Sequence, residues 1–207
     1  KAVLLDLNHG AIAASSSYPS PQKEPNKNPN IFQLSAVRLA EIVKQLIDEY
    51  TSDYHDVEGI IISTQMHGFV YTYPGQEDRY ISWQDMRCMD PIPGEDRTYL
   101  QKLDQEIPPE AMRSHGVAIK PSLAACNLYT LFAENPEIPW DGQLYTLGSY
   151  IIHCLTGRNI CHISNAAPMG LADVEHHCWD QAMIRRLGLE QVKLPCLTEH
   201  DYEICGT

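Results

Sequence analysis

The chain has 207 residues, of which 43% are hydrophobic and 20% are charged, a composition typical of a folded protein with a sizeable core rather than of a disordered chain. Its formal charge of −12 and its isoelectric point near 5.1 argue against a nucleic-acid-binding surface, because phosphate backbones are bound by basic patches. Neither a signal peptide nor an apolar run near the ~20 residues that span a bilayer is evident. We therefore expect a cytoplasmic protein that binds neither nucleic acid nor a membrane.

The seven cysteines are odd in number and irregularly spaced, which favours reduced thiols over a disulfide framework. Cys154, Cys161 and His162, followed by the run 176–178, bring candidate zinc ligands close together in the sequence. However, the chain has no Cys-x-x-Cys pair, and Cys154 falls in an apolar helical run where a small thiol packs well. We therefore predict no metal site in this segment.

The first quarter of the chain predicts a hairpin, a loop and a helix. Two apolar runs, Ala2–Leu5 and Ala11–Ala14, flank a turn-forming segment and predict a β-hairpin. Tyr18–Asn30 is rich in Pro, Ser, Lys and Asn, which predicts an exposed loop. From Gln33 to Tyr50, apolar residues recur at helical spacing beside charged ones, so an amphipathic helix that covers a sheet is predicted.

The next element is a β-branched run that leads into a polar cluster. Gly59–Ser63 has the sequence Gly-Ile-Ile-Ile-Ser and predicts a buried strand. It is followed by Gln65-Met66-His67-Gly68, which we call the first motif. Because open α/β sheets bind their ligands at the carboxyl ends of strands, the first motif is a candidate binding site.

A second polar cluster follows after a predicted hairpin. Phe69–Tyr73 and Arg79–Trp83 have the composition of strands, and the Pro74-Gly75 pair provides the turn between them. The second strand leads into Trp83-Gln84-Asp85-Met86-Arg87, which we call the second motif. Since a hairpin brings its two ends together, we expect both motifs to meet in one small space.

The side chains of the two motifs could contact a small ligand. We predict five ligand-binding side chains, which offer hydrogen-bonding groups or apolar faces: Gln65, Met66, His67, Trp83 and Asp85. We predict that three neighbours support them: Gly68, Gln84 and Arg87.

These residues also have structural interpretations. Met66 and Trp83 would be core residues at a strand end, since large apolar side chains are usually buried. His67 alone would be a hydrogen-bonded structural histidine. Arg87 would either pair with Asp85 and hold it in place or form an exposed salt bridge, which contributes little.

Start and stop signals predict further helices in the second half of the chain. The predicted helices are Thr98–Glu106, Ser122–Glu134, Leu144–Leu155 and Asp180–Arg186. The third is recognised by its apolar stripe and ends at Gly157, whereas the fourth is capped by Asp180 and ends before Gly188. Between the last two helices, Ser164, Asn165 and Asp173 are expected to shape a tight loop rather than to catalyse a reaction.

The order and spacing of the two motifs resemble the sugar site of the FGGY family of carbohydrate kinases, with xylulose kinases and sedoheptulose kinases the nearest members. Leu155-Thr156-Gly157 and the segment Ile163–Asp173 resemble a second signature of this family. The resemblance implies an α/β fold of the ribonuclease-H-like (actin-like ATPase) type, with a mixed sheet flanked by helices. It also implies that residues 1–207 are a partial amino-terminal, sugar-binding domain of a two-domain kinase.

The resemblance further implies ATP-dependent phosphorylation of a ketose, a pentulose or heptulose such as xylulose. In similar kinases a first strand with a phosphate-binding loop precedes the position of Lys1, and the catalytic aspartate and the ATP-binding domain follow that of Thr207. We therefore expect ATP and Mg²⁺ to bind the full-length enzyme but not this segment, which would hold no catalytic residue and be inactive alone. Many relatives carry a lysine where this chain has Asn127, so no ligand role is transferred to it. A homodimer is compatible with the sequence.

Two other functions fit parts of the pattern. A non-catalytic sugar sensor or scaffold would keep the cleft and lack phosphoryl transfer. An Asp-x-Gly-Thr turn upstream and a Gly-Gly-x-Asp strand downstream would distinguish a kinase from it. An actin-like ATPase domain that binds a protein client would have no need for the first and second motifs together.

Overall fold

The computed structural model describes residues 1–200 and 205–206. Its first element is the predicted hairpin, in which β1 (Ala2–Asp6) pairs antiparallel with β2 (Ala11–Ser16). Residues 17–32 contain no helix or strand, in agreement with the predicted loop. The amphipathic helix is confirmed as α1 (Ala36–Asp53), and it begins where the Ser35 side chain accepts a hydrogen bond from the backbone N–H of Arg38.

A four-stranded antiparallel sheet forms the centre of the structure. It consists of β3 (Gln33–Ser35), β4 (Phe69–Thr72), β5 (Arg79–Ile81) and β6 (Gln143–Tyr145), in the order β3-β5-β4-β6. The predicted hairpin is confirmed as β4 and β5, although β5 ends two residues before Trp83.

Two predictions of helix are corrected by this sheet. Gln33–Ser35 and Leu144 lie in strands, although both were assigned to helices by their apolar spacing. The helices that follow them begin only after Ser35 and Thr146, because the side chains of these two residues cap the first turn.

The strand predicted at Gly59–Ser63 is not formed. No ladder pairs with this segment among the described residues, and the side chains of Ile60 and Ile61 are 54% and 98% exposed. Ile62 is partly buried and packs against the cluster that contains Val70. Isoleucine favours extended backbone, but a strand also needs a neighbour with which to pair, and periodicity does not show whether a neighbour is present.

The remaining elements surround the central sheet. Their bounds are α2 (Tyr99–Glu106), α3 (Ala124–Glu134), α4 (Leu147–Thr156), β7 (Ile160–His162), α5 (Ile163–Ala166), β8 (Ala172–Asp173), β9 (Cys178–Trp179), α6 (Gln181–Arg186) and β10 (Cys196–Thr198). The strands β7 and β10 are parallel, whereas β8 and β9 are antiparallel, so the strand pairing of the molecule is mixed. Within the described part of the chain, no helix has both the length and the apolar character needed to cross a membrane.

The hydrophobic core lies on both faces of the central sheet, because successive side chains of a strand point to opposite faces. Phe69 and Tyr71 pack with residues of α2, α3 and α6 in one cluster. Val70 and Tyr80 lie in a second cluster with residues of α1 and α4. A sheet flanked by helices is thus confirmed, and its packing fixes the ends of β4 and β5 from which the two motifs extend.

Candidate functional site

The central hairpin brings the first and second motifs to the same end of the sheet. Phe69 of β4 is paired with Ile81 of β5 in antiparallel register. The first motif directly precedes Phe69, and the second motif begins two residues after Ile81. If the register is continued, His67 lies opposite Trp83. The pairing of β4 and β5 therefore sets the two motifs side by side.

Gly68 allows the close packing at this end of the hairpin. It is buried, and a Cβ atom in its place would lie 2.2–2.4 Å from the ring and hydroxyl of Tyr80. A side chain does not fit at that distance. The Tyr80 hydroxyl is buried without a hydrogen-bond partner among the described residues, and burial raises its pKa to about 12. The role of Gly68 is therefore steric.

His67 is held in one orientation by contacts on both sides of its ring. Nδ1 lies 2.8 Å from the backbone oxygen of Pro168, and Nε2 lies 3.2 Å from Nζ of Lys120. A carbonyl oxygen only accepts hydrogen bonds and an ammonium group only donates them, so Nδ1 carries the proton and Nε2 accepts. The ring is thus neutral and fixed in one tautomer.

The backbone of His67 is also unusual, since its φ of 68° lies in the left-handed region. Residues other than glycine seldom adopt this conformation, which costs on the order of 1–3 kcal/mol and is found most often at functional sites. The packing of Gly68 on Tyr80 and the two ring contacts hold this conformation in place. In this conformation the ring lies between Pro168 and Lys120.

Asp85 and Arg87 form a buried ion pair within the second motif. Nε and Nη2 of Arg87 donate to the two carboxylate oxygens of Asp85 at 2.8 and 2.9 Å, and the side chains are 2% and 0% exposed. The backbone N–H groups of Phe32 and Arg87 donate to the same carboxylate at 2.8 and 3.1 Å. The alternative of an exposed salt bridge is therefore wrong.

The burial of Asp85 changes the role that the structure supports for it. Four protein donors occupy its oxygens, and none of its surface is exposed. The sequence predicts direct contact with a ligand, whereas this geometry favours a positioning role. Asp85 fixes the loop from which Trp83 and Gln84 extend.

Asn127 on α3 connects the second motif to the segment before α3. Its Nδ2 donates to the backbone oxygens of Asp85 at 2.9 Å and Pro121 at 3.1 Å, and its Oδ1 accepts from the N–H of Cys88. Because Pro121 directly follows Lys120, this buried amide places the lysine beside His67. Sequence reasoning assigned no role to Asn127 and missed Lys120, since only tertiary contacts bring these residues to the motifs.

The other side chains of the two motifs form an open surface. Met66 and Trp83 are 57% and 42% exposed, so the alternative that both are core residues is wrong. Gln65 and Gln84 are exposed beside them. Two cavities of about 500 and 430 Å³ lie elsewhere and are lined by no residue of either motif. The candidate site is therefore a face of the molecule that combines apolar and amide groups.

The segment Ile163–Asp173 contacts the first motif at His67. The backbone oxygen of Pro168 is the partner of His67 Nδ1. Gly170 has a φ of 75°, and a Cβ atom in its place would lie 2.6 Å from Leu123. The side chain of Asp173 accepts hydrogen bonds from two backbone N–H groups in a turn, which agrees with its predicted loop-shaping role. The two segments that carry the family resemblance thus meet at His67.

The described residues offer little to a metal ion. In residues 1–200 and 205–206, no group of three or more His, Cys, Asp or Glu side chains is arranged to hold one. The carboxylate of the second motif, Asp85, is already paired with Arg87.

A family model described as the FGGY family of carbohydrate kinases, N-terminal domain, matches residues 1–207. The chain belongs to the FGGY family of carbohydrate kinases. The resemblance carried by the two motifs is thereby confirmed over the whole sequence. A comparison with curated protein sequences found no match.

Solved structures of family enzymes have the same fold. A ligand-bound xylulose kinase from Lactobacillus acidophilus aligns with a TM-score of 0.77 and 21% identity over 95% of this chain. A gluconate kinase from Lactobacillus acidophilus gives 0.76 and 21% over 95%, and the glycerol kinase of Plasmodium falciparum with ADP gives 0.74 and 18% over 94%. The chain covers 39–40% of the length of these three structures. The predicted actin-like ATPase fold of the family's amino-terminal domain is confirmed.

Proposed function

We propose that the full-length protein uses ATP to phosphorylate a ketose, either a pentulose or a heptulose, and that this segment forms the sugar-binding half of the cleft. Membership of a carbohydrate kinase family supports phosphoryl transfer to a sugar. The pairing of β4 with β5 carries the assignment of the sugar-binding face, because it places the first and second motifs side by side. A xylulose kinase is among the solved structures that share the fold.

The exposed face suits a sugar in two ways. Met66 and Trp83 offer apolar surface to the carbon skeleton, while Gln65 and Gln84 offer amide donors and acceptors to hydroxyl groups. His67 provides a fixed neutral ring between them. Polar groups at fixed positions discriminate against a sugar that lacks the matching hydroxyl, because the groups are then left unpaired.

The contribution of this segment to the reaction is positioning. Phosphoryl transfer depends mainly on aligning the attacking hydroxyl and on stabilising charge, with little covalent chemistry by the protein. The buried Asp85–Arg87 pair fixes the second motif and so keeps Trp83 in place. We assign no catalytic residue to this segment.

We propose that ATP and Mg²⁺ are held by parts of the full-length protein outside this segment, where bound MgATP would supply the transferred phosphoryl group. A cytoplasmic location is also proposed, and the seven free cysteines support it, because reduced thiols persist in that compartment.

The test is sugar-dependent ADP release by the full-length protein across a panel of pentuloses and heptuloses. We expect release with at least one ketose, and we expect His67→Ala to lower kcat/KM for it by about tenfold, because it removes the ring contact that holds Lys120 beside the motifs, an effect on the order of one hydrogen bond. Lys193→Met, which replaces an exposed residue in a cavity that is lined by Tyr73 and Pro74 and by no residue of either motif, is the control and should leave kcat/KM unchanged. Absence of release across the whole panel would contradict the proposal, and sugar binding without release would favour the sugar sensor.

A further inference from the structure

Lys120 is the cationic side chain in contact with the candidate site. Its Nζ lies 3.2 Å from Nε2 of His67, and the residue is half-buried. The following residue, Pro121, is anchored through its backbone oxygen to the buried side chain of Asn127. The lysine therefore extends from a backbone that is fixed by the same amide that holds the second motif.

The hydrogen bonds of His67 leave Lys120 as the available donor at this point. Both ring nitrogens of His67 are engaged, one with the oxygen of Pro168 and one with Lys120. An ammonium group has three N–H donors, of which the contact with His67 uses one. The group next to the His67 ring is thus an ammonium with further N–H donors that no side chain of the described residues accepts.

The charge of Lys120 is not balanced locally. Within the described ranges, no carboxylate lies within 4.0 Å of its Nζ, although the chain as a whole carries a formal charge of −12. Asp85, the carboxylate of the second motif, is occupied by Arg87. A half-buried ammonium without a carboxylate partner favours an oxygen that carries negative charge over a neutral hydroxyl.

We propose that Lys120 is a specificity-determining residue of the sugar site, where it binds a substrate oxygen and makes the site prefer an anionic sugar, such as an aldonate, over a neutral sugar of the same size. This inference rests on the proposed location of the sugar site. It concerns relative affinity among sugars that fit the site. A sugar with an ammonium group at the same place would be disfavoured by like-charge repulsion.

The experiment measures equilibrium binding of three probes with open six-carbon chains to the full-length protein: gluconate, glucitol and glucamine, which differ only in the group on the terminal carbon. We expect gluconate to bind about tenfold more tightly than glucitol, in keeping with the strength of hydrogen bonds to charged groups, and glucamine to bind most weakly. In Lys120→Met the difference between gluconate and glucitol should fall to about twofold or less, whereas Lys120→Arg should retain most of it. Thermal denaturation of each variant verifies that it is folded.

The control and the outcomes separate a specificity role from a structural one. Lys193→Met removes an exposed lysine that lines a cavity away from the motifs, and it should leave the binding ratio unchanged. If Lys120 only holds His67, Lys120→Met will weaken all three probes equally, which overturns the inference. Equal binding of gluconate and glucitol by the unaltered protein, or no binding of either, also overturns it.

The inference and the proposed function can fail separately. Ketose-dependent ADP release with a binding ratio that does not change in Lys120→Met would retain the kinase and reject the role of Lys120. A Lys120-dependent preference for gluconate in a protein that releases no ADP with any ketose would retain the anion-selective site and reject the proposed reaction.

Discussion

Asp85 and Arg87 show how a single buried pair supports an exposed binding face. Burying two charges costs several kcal/mol per ion, and this cost is offset only when the geometry is good and the remaining donors and acceptors are satisfied. Here the pair is bidentate, and two backbone N–H groups complete the carboxylate's hydrogen bonds. These hydrogen bonds therefore fix the backbone of the loop that carries the exposed Trp83.

Asp85→Asn should lower the free energy of unfolding by about 3–5 kcal/mol, because it leaves the guanidinium of Arg87 buried without a compensating charge. The measurement is denaturation of the full-length protein by urea and by heat. Glu41→Gln is the matched control, since it removes the exposed Arg38–Glu41 pair and should change stability by less than about 1 kcal/mol. If Asp85→Asn is as stable as the unaltered protein but no longer binds sugar, Asp85 contacts the ligand directly and the positioning role is wrong.

The sequence could not decide between the two interpretations of Arg87, because the groups that bury it come from distant positions. The backbone N–H of Phe32 and the side chain of Asn127 form hydrogen bonds with Asp85, from which they are 53 and 42 residues distant in the sequence. The same reason applies to Lys120, which meets His67 across 53 residues. The meeting of the two motifs was predictable from the β4–β5 hairpin, whereas the contacts of Phe32, Asn127 and Lys120 with them were not.

At the scale of elements, the helices were the most predictable part of the fold, since their signals are local. Thr98 forms a capping box with Gln101 at the start of α2, and Gly157 ends α4 with a positive φ. The prediction of a strand at Gly59–Ser63 was wrong, because a strand forms only where a second segment is available to pair with it. The helix predicted to include Leu144 was wrong at this residue for a related reason, since Leu144 lies in a strand that is defined by its pairing with β4.

Asp180 shows how one side chain links an element to the rest of the molecule. Its Oδ1 accepts hydrogen bonds from the N–H groups of Ala182 and Met183 at the start of α6. Its Oδ2 lies 2.8 Å from Nε2 of His115, which is fully buried. Burial raises the pKa of Asp180, but the hydrogen bonds from His115, Met183 and Ala182 outweigh it, so the pKa lies below its ordinary value of 3.8.

This lowered pKa predicts a pH dependence of stability. Because the pKa is lower in the folded state than in the unfolded state, the stabilisation is fully present above the ordinary value of 3.8 and is lost as the pH falls through the folded value. Asp180→Asn keeps a capping oxygen but cannot ionise, so its stability should decline less steeply than that of the unaltered protein as the pH falls below 3.8.

The measurement is the free energy of unfolding of both proteins between neutral pH and about pH 3, with the exposed Asp96→Asn as the control. The control should follow the unaltered protein at every pH. Identical slopes for Asp180→Asn and the unaltered protein would show that this contact does not contribute to acid sensitivity.

At the scale of the whole molecule, helices on both faces of the central sheet leave one end of the β4–β5 hairpin open. At that end Met66 and Trp83 are more than two-fifths exposed and offer apolar surface to a ligand. The chain covers 39–40% of the solved family structures that share its fold. We propose that the remainder of the full-length protein closes this face into a cleft.

The three tryptophans of the chain allow this claim to be tested at known positions. Trp140 stacks on Phe132 at a ring-centroid distance of 4.4 Å, and the indole N–H of Trp179 donates to the backbone oxygen of Pro195. Both are only partly exposed and lie in or against the hydrophobic core, whereas Trp83 is exposed in the second motif. The indole N–H resonances of the three residues therefore distinguish the proposed site from the rest of the domain.

The most direct test is a titration of the ¹⁵N-labelled full-length protein with the ketose that supports ADP release, in which the single variants Trp83→Phe, Trp140→Phe and Trp179→Phe assign the three indole signals. The account predicts a saturable shift of the Trp83 signal, while the signals of Trp140 and Trp179 remain in place. A ketose that supports ADP release without moving the Trp83 signal would contradict the assignment of the sugar-binding face.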